Sequence, residues 1–127
     1  MEPPKALRPT ESELAILRVL WSRGPSTVRE VQSELGADTG YTTALKLLQI
    51  MAEKGLVERD EQNRAHVYRA RREREHTERQ LVGDLLDRAF GGSATRMMMH
   101  LLSSGEASPD EIAELRRLLD QYESRRP

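Results

Sequence analysis

In the stretch TGYTTALKLLQIMAEKGLVERD (residues 39–60), one side of a helical pattern is apolar and the other carries Thr42, Thr43, Lys46 and Gln49. Steps of three residues, from Thr43 to Lys46 and on to Gln49, keep these groups on one side of a helix. Hydroxyls and an ammonium suit phosphate oxygens, a threonine methyl packs on a thymine methyl, and a carboxamide pairs with adenine. The open N–H groups at a helix start add to the pull on phosphate. A plainer reading makes Thr42 an N-cap and leaves Lys46 and Gln49 as a solvated face. Neither reading is bond-making chemistry. No Ser/His/Asp spacing, Gly-rich phosphate loop or carboxylate pair stands out elsewhere, so no catalytic residue and no enzymatic activity is expected. There is no cysteine, and His66, His76 and His100 are scattered, so no metal and no cofactor is expected.

The elements that must hold this face can be read from cap signals and periodicity. Thr10 with Glu13, and Thr27 with Glu30, are capping boxes opening two short helices. Leu14, Leu17, Leu20 and Trp21 line the first, which RGP at 23–25 ends; Val28, Val31 and Leu35 line the second, which Gly36 ends. Ala44, Leu48, Met51 and Ala52 make the buried stripe of the third, stopped at Gly55. The period then changes. LVER and AHVYRA read as strands, with Asp60, Gln62 and Asn63 suited to the loop between them. Three helices followed by a two-stranded ribbon is the order of a winged helix. Arg59, Asn63, Arg64, Arg69 and Arg71 stand where a wing or its base can grip phosphates beside a groove. Asp60 and Glu61 argue against deep insertion of its tip. His66 reads as an outward wing residue.

Beyond Glu73 the chain is helical again. His76 reads as solvated, and the apolar residues run Leu81, Leu85, Leu86, Ala89 and Phe90. GGS at 91–93 breaks the helix, and Ser93 can cap a fifth that contains Met97, Met98, Met99, Leu101 and Leu102. Ser108, Pro109 and Glu111 start a sixth, striped by Ile112, Leu115, Leu118, Leu119 and Tyr122.

Composition narrows the classes. The 127 residues are 32% charged and carry one Trp, one Phe and three Tyr, enough for a modest helical core and not for a roomy ligand pocket. The net charge is −1; residues 1–72 hold 12 Lys/Arg against 10 Asp/Glu, and residues 73–127 hold 8 against 11. This slight asymmetry points an anion toward the N-terminal half. The first ten residues lack an apolar signal segment and no run approaches membrane-spanning length, so a cytoplasmic protein without membrane insertion is expected.

The series LRPTESELAILRVLWSRGPSTVREVQSEL and YTTALKLLQIMAEKGLVERDEQNRAHVYRA, continued by LLDRAFGGS and SPDEIAELRRLL, resembles the penicillinase repressor family over almost the whole chain. The resemblance implies a homodimeric repressor of transcription. It implies binding to double-stranded DNA at an inverted-repeat operator with TACA/TGTA-like half-sites. Tyr41, Thr42, Thr43 and Lys46 then fall on the recognition helix (about 40–54) and Arg64 on the wing (about 56–70). The resemblance also implies a membrane-bound sensor protease as a partner, releasing the repressor by proteolysis at an Asn–Phe bond in the fifth helix. The matching place is near His100–Leu101, and the chain has no Asn–Phe pair and none of the C-terminal cysteines of copper-responsive relatives.

The expected architecture is therefore mainly α with a small β-hairpin: a flexible N-terminus at 1–9, a winged-helix DNA-binding domain at 10–72, and a helical dimerisation region at 73–127. Three short helices cannot hide the apolar surface of Leu81, Leu85, Phe90, Met98, Leu101, Ile112, Leu115 and Leu119, which are assigned to the dimer interface. The competing class is a winged-helix module that binds protein and not specific DNA.

Overall fold

Three capping boxes set the starts of helices in the computed structural model, which describes residues 8–61 and 64–125. Thr10 opens α1 (Glu11–Arg23), Thr27 opens α2 (Val28–Leu35) and Ser108 opens α6 (Pro109–Ser124), each hydroxyl accepting from the backbone N–H three residues on while the glutamate there returns the bond. Ser93 caps α5 (Ala94–Ser103) by accepting from the Arg96 N–H at 3.2 Å. Between these lie α3 (Tyr41–Lys54), two strands, β2 (Val57–Asp60) and β3 (Val67–Ala70), and α4 (Arg74–Phe90). Gln62 and Asn63, expected in the hairpin loop, and residues 1–7 of the expected flexible segment lie outside the described residues.

The sheet has a strand that periodicity did not suggest. Ser26–Thr27 forms β1, which pairs antiparallel with β3 (Ser26 opposite Tyr68), so the order is β1-β3-β2 and the ribbon is three-stranded at its base. Two residues carry no period for a sequence pattern to detect, and only the pairing with β3 defines them as a strand.

By contacts the described chain forms two compact units, one ending at Arg79 and one beginning at Gln80. The core of the first is Ile16, Leu17, Leu20, Val28, Val31, Ala44, Leu48, Met51, Val57 and Tyr68, all buried. Burial of this apolar surface is the main favourable term holding α1, α2, α3 and the sheet together. Leu14 and Trp21, expected in the α1 stripe, are only half-buried, while Ile16 is fully buried. Trp21 instead reaches across, its Nε1–H donating to the Arg72 carbonyl at 2.9 Å, with the Arg74 guanidinium 5.9 Å from the ring centroid. His76, expected to be solvated, is half-buried one position before the buried Thr77.

One charged side chain sits inside this core. Glu13 is 2% exposed; its carboxylate accepts from the Thr10 N–H at 2.8 Å and from Lys54 Nζ at 2.7 Å. Lys54 also donates to the Arg8 carbonyl at 3.4 Å, and Arg8 and Pro9 are half-buried. Burial pushes the Glu13 carboxyl up, but the Lys54 ammonium and the Thr10 donors outweigh it and hold it below the usual carboxylate range.

A carboxyl with a lowered folded pKa adds stability that is complete above its unfolded pKa of about 4.3 and is lost as pH falls through the folded value. Urea denaturation across pH 2–7 is therefore expected to show an acid limb that Glu13→Gln flattens. Lys54→Met, which leaves Glu13 buried without its cation, is expected to cost roughly 3 kcal/mol at neutral pH. An unchanged urea midpoint for Lys54→Met would show that the pair does not hold α1 to α3.

Candidate nucleic-acid interface

α3 is anchored on one face and open on the other. Ala44, Leu48 and Met51 are wholly buried, whereas Tyr41, Thr42, Thr43, Lys46 and Gln49 are all exposed. The four α3 residues singled out by spacing, and Tyr41 singled out by the resemblance, are therefore all open to solvent on one rigid element. Tyr41 is 48% exposed at the first helical position. Thr42 is not the N-cap: Gly40 is, and no side chain closes the helix start. The Ala44 N–H bonds the Gly40 carbonyl at 3.0 Å, leaving the N–H groups of residues 41–43 in the orphan positions of a helix start. Side chains cap α1, α2, α5 and α6 at the same place. Lys46 has no ion pair among the described residues and remains a free cation on the exposed face.

Both ends of α3 are tied to neighbouring elements. At the entry, Gln32 Nε2 of α2 donates to the Thr39 carbonyl at 3.1 Å. At the exit, Lys54 is held by Glu13. Gly55 then takes the left-handed conformation, φ 80°, and lets the Leu56 N–H return to the Met51 carbonyl at 2.9 Å. A Cβ at Gly55 would also stand 3.0 Å from Arg71 Nη1, so a larger residue meets strain and crowding together. Farther back, Arg23 of α1 pairs with Glu30 and with Glu34 at 3.3 Å, linking α1 to α2 at the surface. Sequence reasoning missed Gln32 and the Lys54–Glu13 pair as positioning groups. Glu13 was visible only as a capping partner, because its second partner lies on another helix.

The wing is less cationic than the count of its arginines suggests. Arg69 Nη2 lies 2.7 Å from Glu58 Oε2, directly across the strands, and Arg59 pairs with Glu61. Arg64 is exposed, with no ion pair among the described residues. Asn63 lies outside the described residues. His66 is exposed, as expected of an outward wing residue.

In the unit beginning at Gln80, no residue of α5 or α6 is buried. Leu85 (48% exposed), Leu101 (43%), Ile112 (39%) and Leu119 (67%) are open to solvent in the isolated chain. Leu81, Phe90, Met98 and Leu115 are half-buried, and the Phe90 ring stands 5.7 Å from that of His100. Val82, Met99, Leu102 and Tyr122 extend the exposed apolar surface beyond the residues chosen from periodicity. No helix among the described residues is long and apolar enough to cross a membrane.

This arrangement, an exposed polar face on a braced helix beside a β-ribbon, is the geometry of a winged helix. The family model described as penicillinase repressor matches residues 9–121. The chain is 36% identical to the transcriptional regulator BlaI of Mycobacterium tuberculosis over 94% of its own length and 88% of that protein. It is 23% identical to the penicillinase repressor of Bacillus licheniformis over 92% of its length and 93% of the relative. The chain belongs to the penicillinase repressor family, a family of transcriptional repressors and not of enzymes.

Proposed function

We propose that the chain is a homodimeric repressor that grips an inverted-repeat operator with α3 and the wing. The observation that carries this reading is the exposed stripe of Tyr41, Thr42, Thr43, Lys46 and Gln49 on a helix whose opposite face is wholly buried. Backbone N–H groups and hydroxyls at the start of α3 hold phosphates, Lys46 and Arg64 add point contacts, and Thr43 and Gln49 meet base edges. A winged-helix division at 10–72 with the remainder serving assembly fits this reading. Leu81, Leu85, Phe90, Met98, Leu101, Ile112, Leu115 and Leu119 supply the apolar surface of a twofold interface, and twofold symmetry suits an inverted repeat.

Release belongs to the same proposal. α5 lies between two turns with left-handed glycines, Gly92 at φ 85° and Gly105 at φ 78°, and exposes Met99, Leu101 and Leu102. Cleavage there by a membrane-bound sensor protease would divide the dimerisation region and end shared binding to two half-sites.

Fluorescence anisotropy on a duplex with a TACA/TGTA inverted repeat tests the contacts. Lys46→Ala and Arg64→Ala are each expected to weaken binding to every duplex and to reduce the salt slope by about 0.9. Thr43→Val is expected to alter half-site preference more than non-specific affinity. Parental behaviour in all three variants would misplace the interface and leave the protein-binding module as the better reading. Leu119→Glu, at a site open in the protomer, is expected to retain helicity by circular dichroism. It should convert the dimer to monomer at micromolar concentration in the ultracentrifuge, and a parent already monomeric there would reject the dimer. In cells challenged with a cell-wall antibiotic, a C-terminal fragment starting within residues 97–103 should appear together with derepression. Derepression with the chain intact would exclude cleavage as the switch.

A further inference from the structure

The two strands of the wing and the loop between them, residues 57–70, contain Arg59, Arg64 and Arg69 against Glu58, Asp60 and Glu61, and so carry no net charge. The pairing is arranged by face. Glu58 and Arg69 are directly opposite in the antiparallel register, and both Nε (3.3 Å) and Nη2 (2.7 Å) of Arg69 reach Glu58 Oε2. Arg59 lies opposite Tyr68, on the other face, and is held by Glu61 two residues along. Each face of the ribbon thus has an arginine clamped by a carboxylate. Glu58, Arg59, Asp60, Glu61 and Arg69 line one recess of about 630 Å³.

The fold does not depend on these pairs. Their side chains are 36% to 63% exposed, and exposed ion pairs add little stability. The wing is held by Val57 and Tyr68 in the core and by pairing with β1. The pairs do set which anion each guanidinium faces, since arginine is charged with or without them. The guanidinium of Arg69 is raised by its bond to Glu58, with Asp60 adding a smaller part, and the Glu58 carboxyl is held below its usual range by the same contact. The contact thus joins two charged groups.

We propose that Glu58 and Glu61 are specificity-determining residues: they hold Arg69 and Arg59 away from phosphate and so suppress binding of the wing to DNA that lacks the operator. This rests on the DNA-binding reading above. Non-specific binding is driven by cation–phosphate contacts. With Arg59 and Arg69 held by carboxylates, Arg64 is the wing arginine left to contribute to it, and the carboxylates repel the duplex. At the operator, α3 fixes depth and register and holds the wing against one particular phosphate. An exposed arginine can then exchange its carboxylate partner for that phosphate at small cost.

The test compares the full-length parent, Glu58→Gln, Glu61→Gln and the double variant by fluorescence anisotropy on two probes. One is a duplex with a TACA/TGTA inverted repeat and the other a scrambled duplex of equal length. Glu114→Gln is the control for bulk charge, since Glu114 forms an equally exposed pair with Arg117 on α6. Each wing variant is expected to bind the scrambled duplex several-fold more tightly at low salt, with the slope steeper by about 0.9 per freed arginine. Operator affinity should rise less, so the ratio between probes falls, and Glu114→Gln should leave that ratio unchanged. Equal gains on both probes, no gain on the scrambled duplex, or a matching gain in the control would overturn the proposal while leaving DNA binding intact. A parent that binds neither duplex would overturn both readings.

Discussion

The Glu13 carboxylate decides where α3 can lie. A buried carboxylate without a cation is expensive, and the cation that satisfies Glu13 is the last residue of α3, at 2.7 Å. The same carboxylate closes the capping box of α1 with Thr10. The start of one helix and the end of another are therefore satisfied by a single group, which ties the two ends together. Apolar packing alone tolerates some sliding of helix on helix; a buried ion pair tolerates little. Gln32 at the other end of α3 completes the brace. The exposed stripe inherits its direction from these contacts and not from anything on the stripe itself.

The sheet divides its work along its length. At the base, Val57 and Tyr68 enter the core and β1 ties the ribbon to the start of α2. Farther out every side chain of β2 is exposed, and charges cancel in pairs. Lys46 of α3, by contrast, has no ion pair among the described residues. In the proposed complex Lys46 of the helix and Arg64 of the wing bring the unbalanced charge, while Arg59 and Arg69 bring contacts that must be released before use.

The unit beginning at Gln80 follows a different balance. Its helices have sound local signals, including the Ser93 cap and the Ser108 capping box, yet α5 and α6 bury no residue completely. Good caps determine where a helix starts; they do not supply the apolar burial from which most helical stability in proteins comes. The proposed dimer would provide that burial.

Features whose partners lie within one helical turn were legible in the sequence. The capping boxes at Thr10, Thr27 and Ser108, the stop at Gly55 and the apolar face of α3 all depend on residues three or four positions apart. That spacing also placed Thr42, Thr43, Lys46 and Gln49 together on one side of α3. The resemblance, carried by the same residues, supplied the family. Tertiary structure decided the rest. β1 exists because Ser26 meets Tyr68, Glu13 is buried because Lys54 reaches it, and Arg69 is neutralised because the strands bring Glu58 opposite it. In α5 and α6, periodicity named the apolar side while the fold left that side open. Local spacing is a property of the chain. Burial and charge pairing depend on which distant segments come together, and so only the folded molecule reveals them.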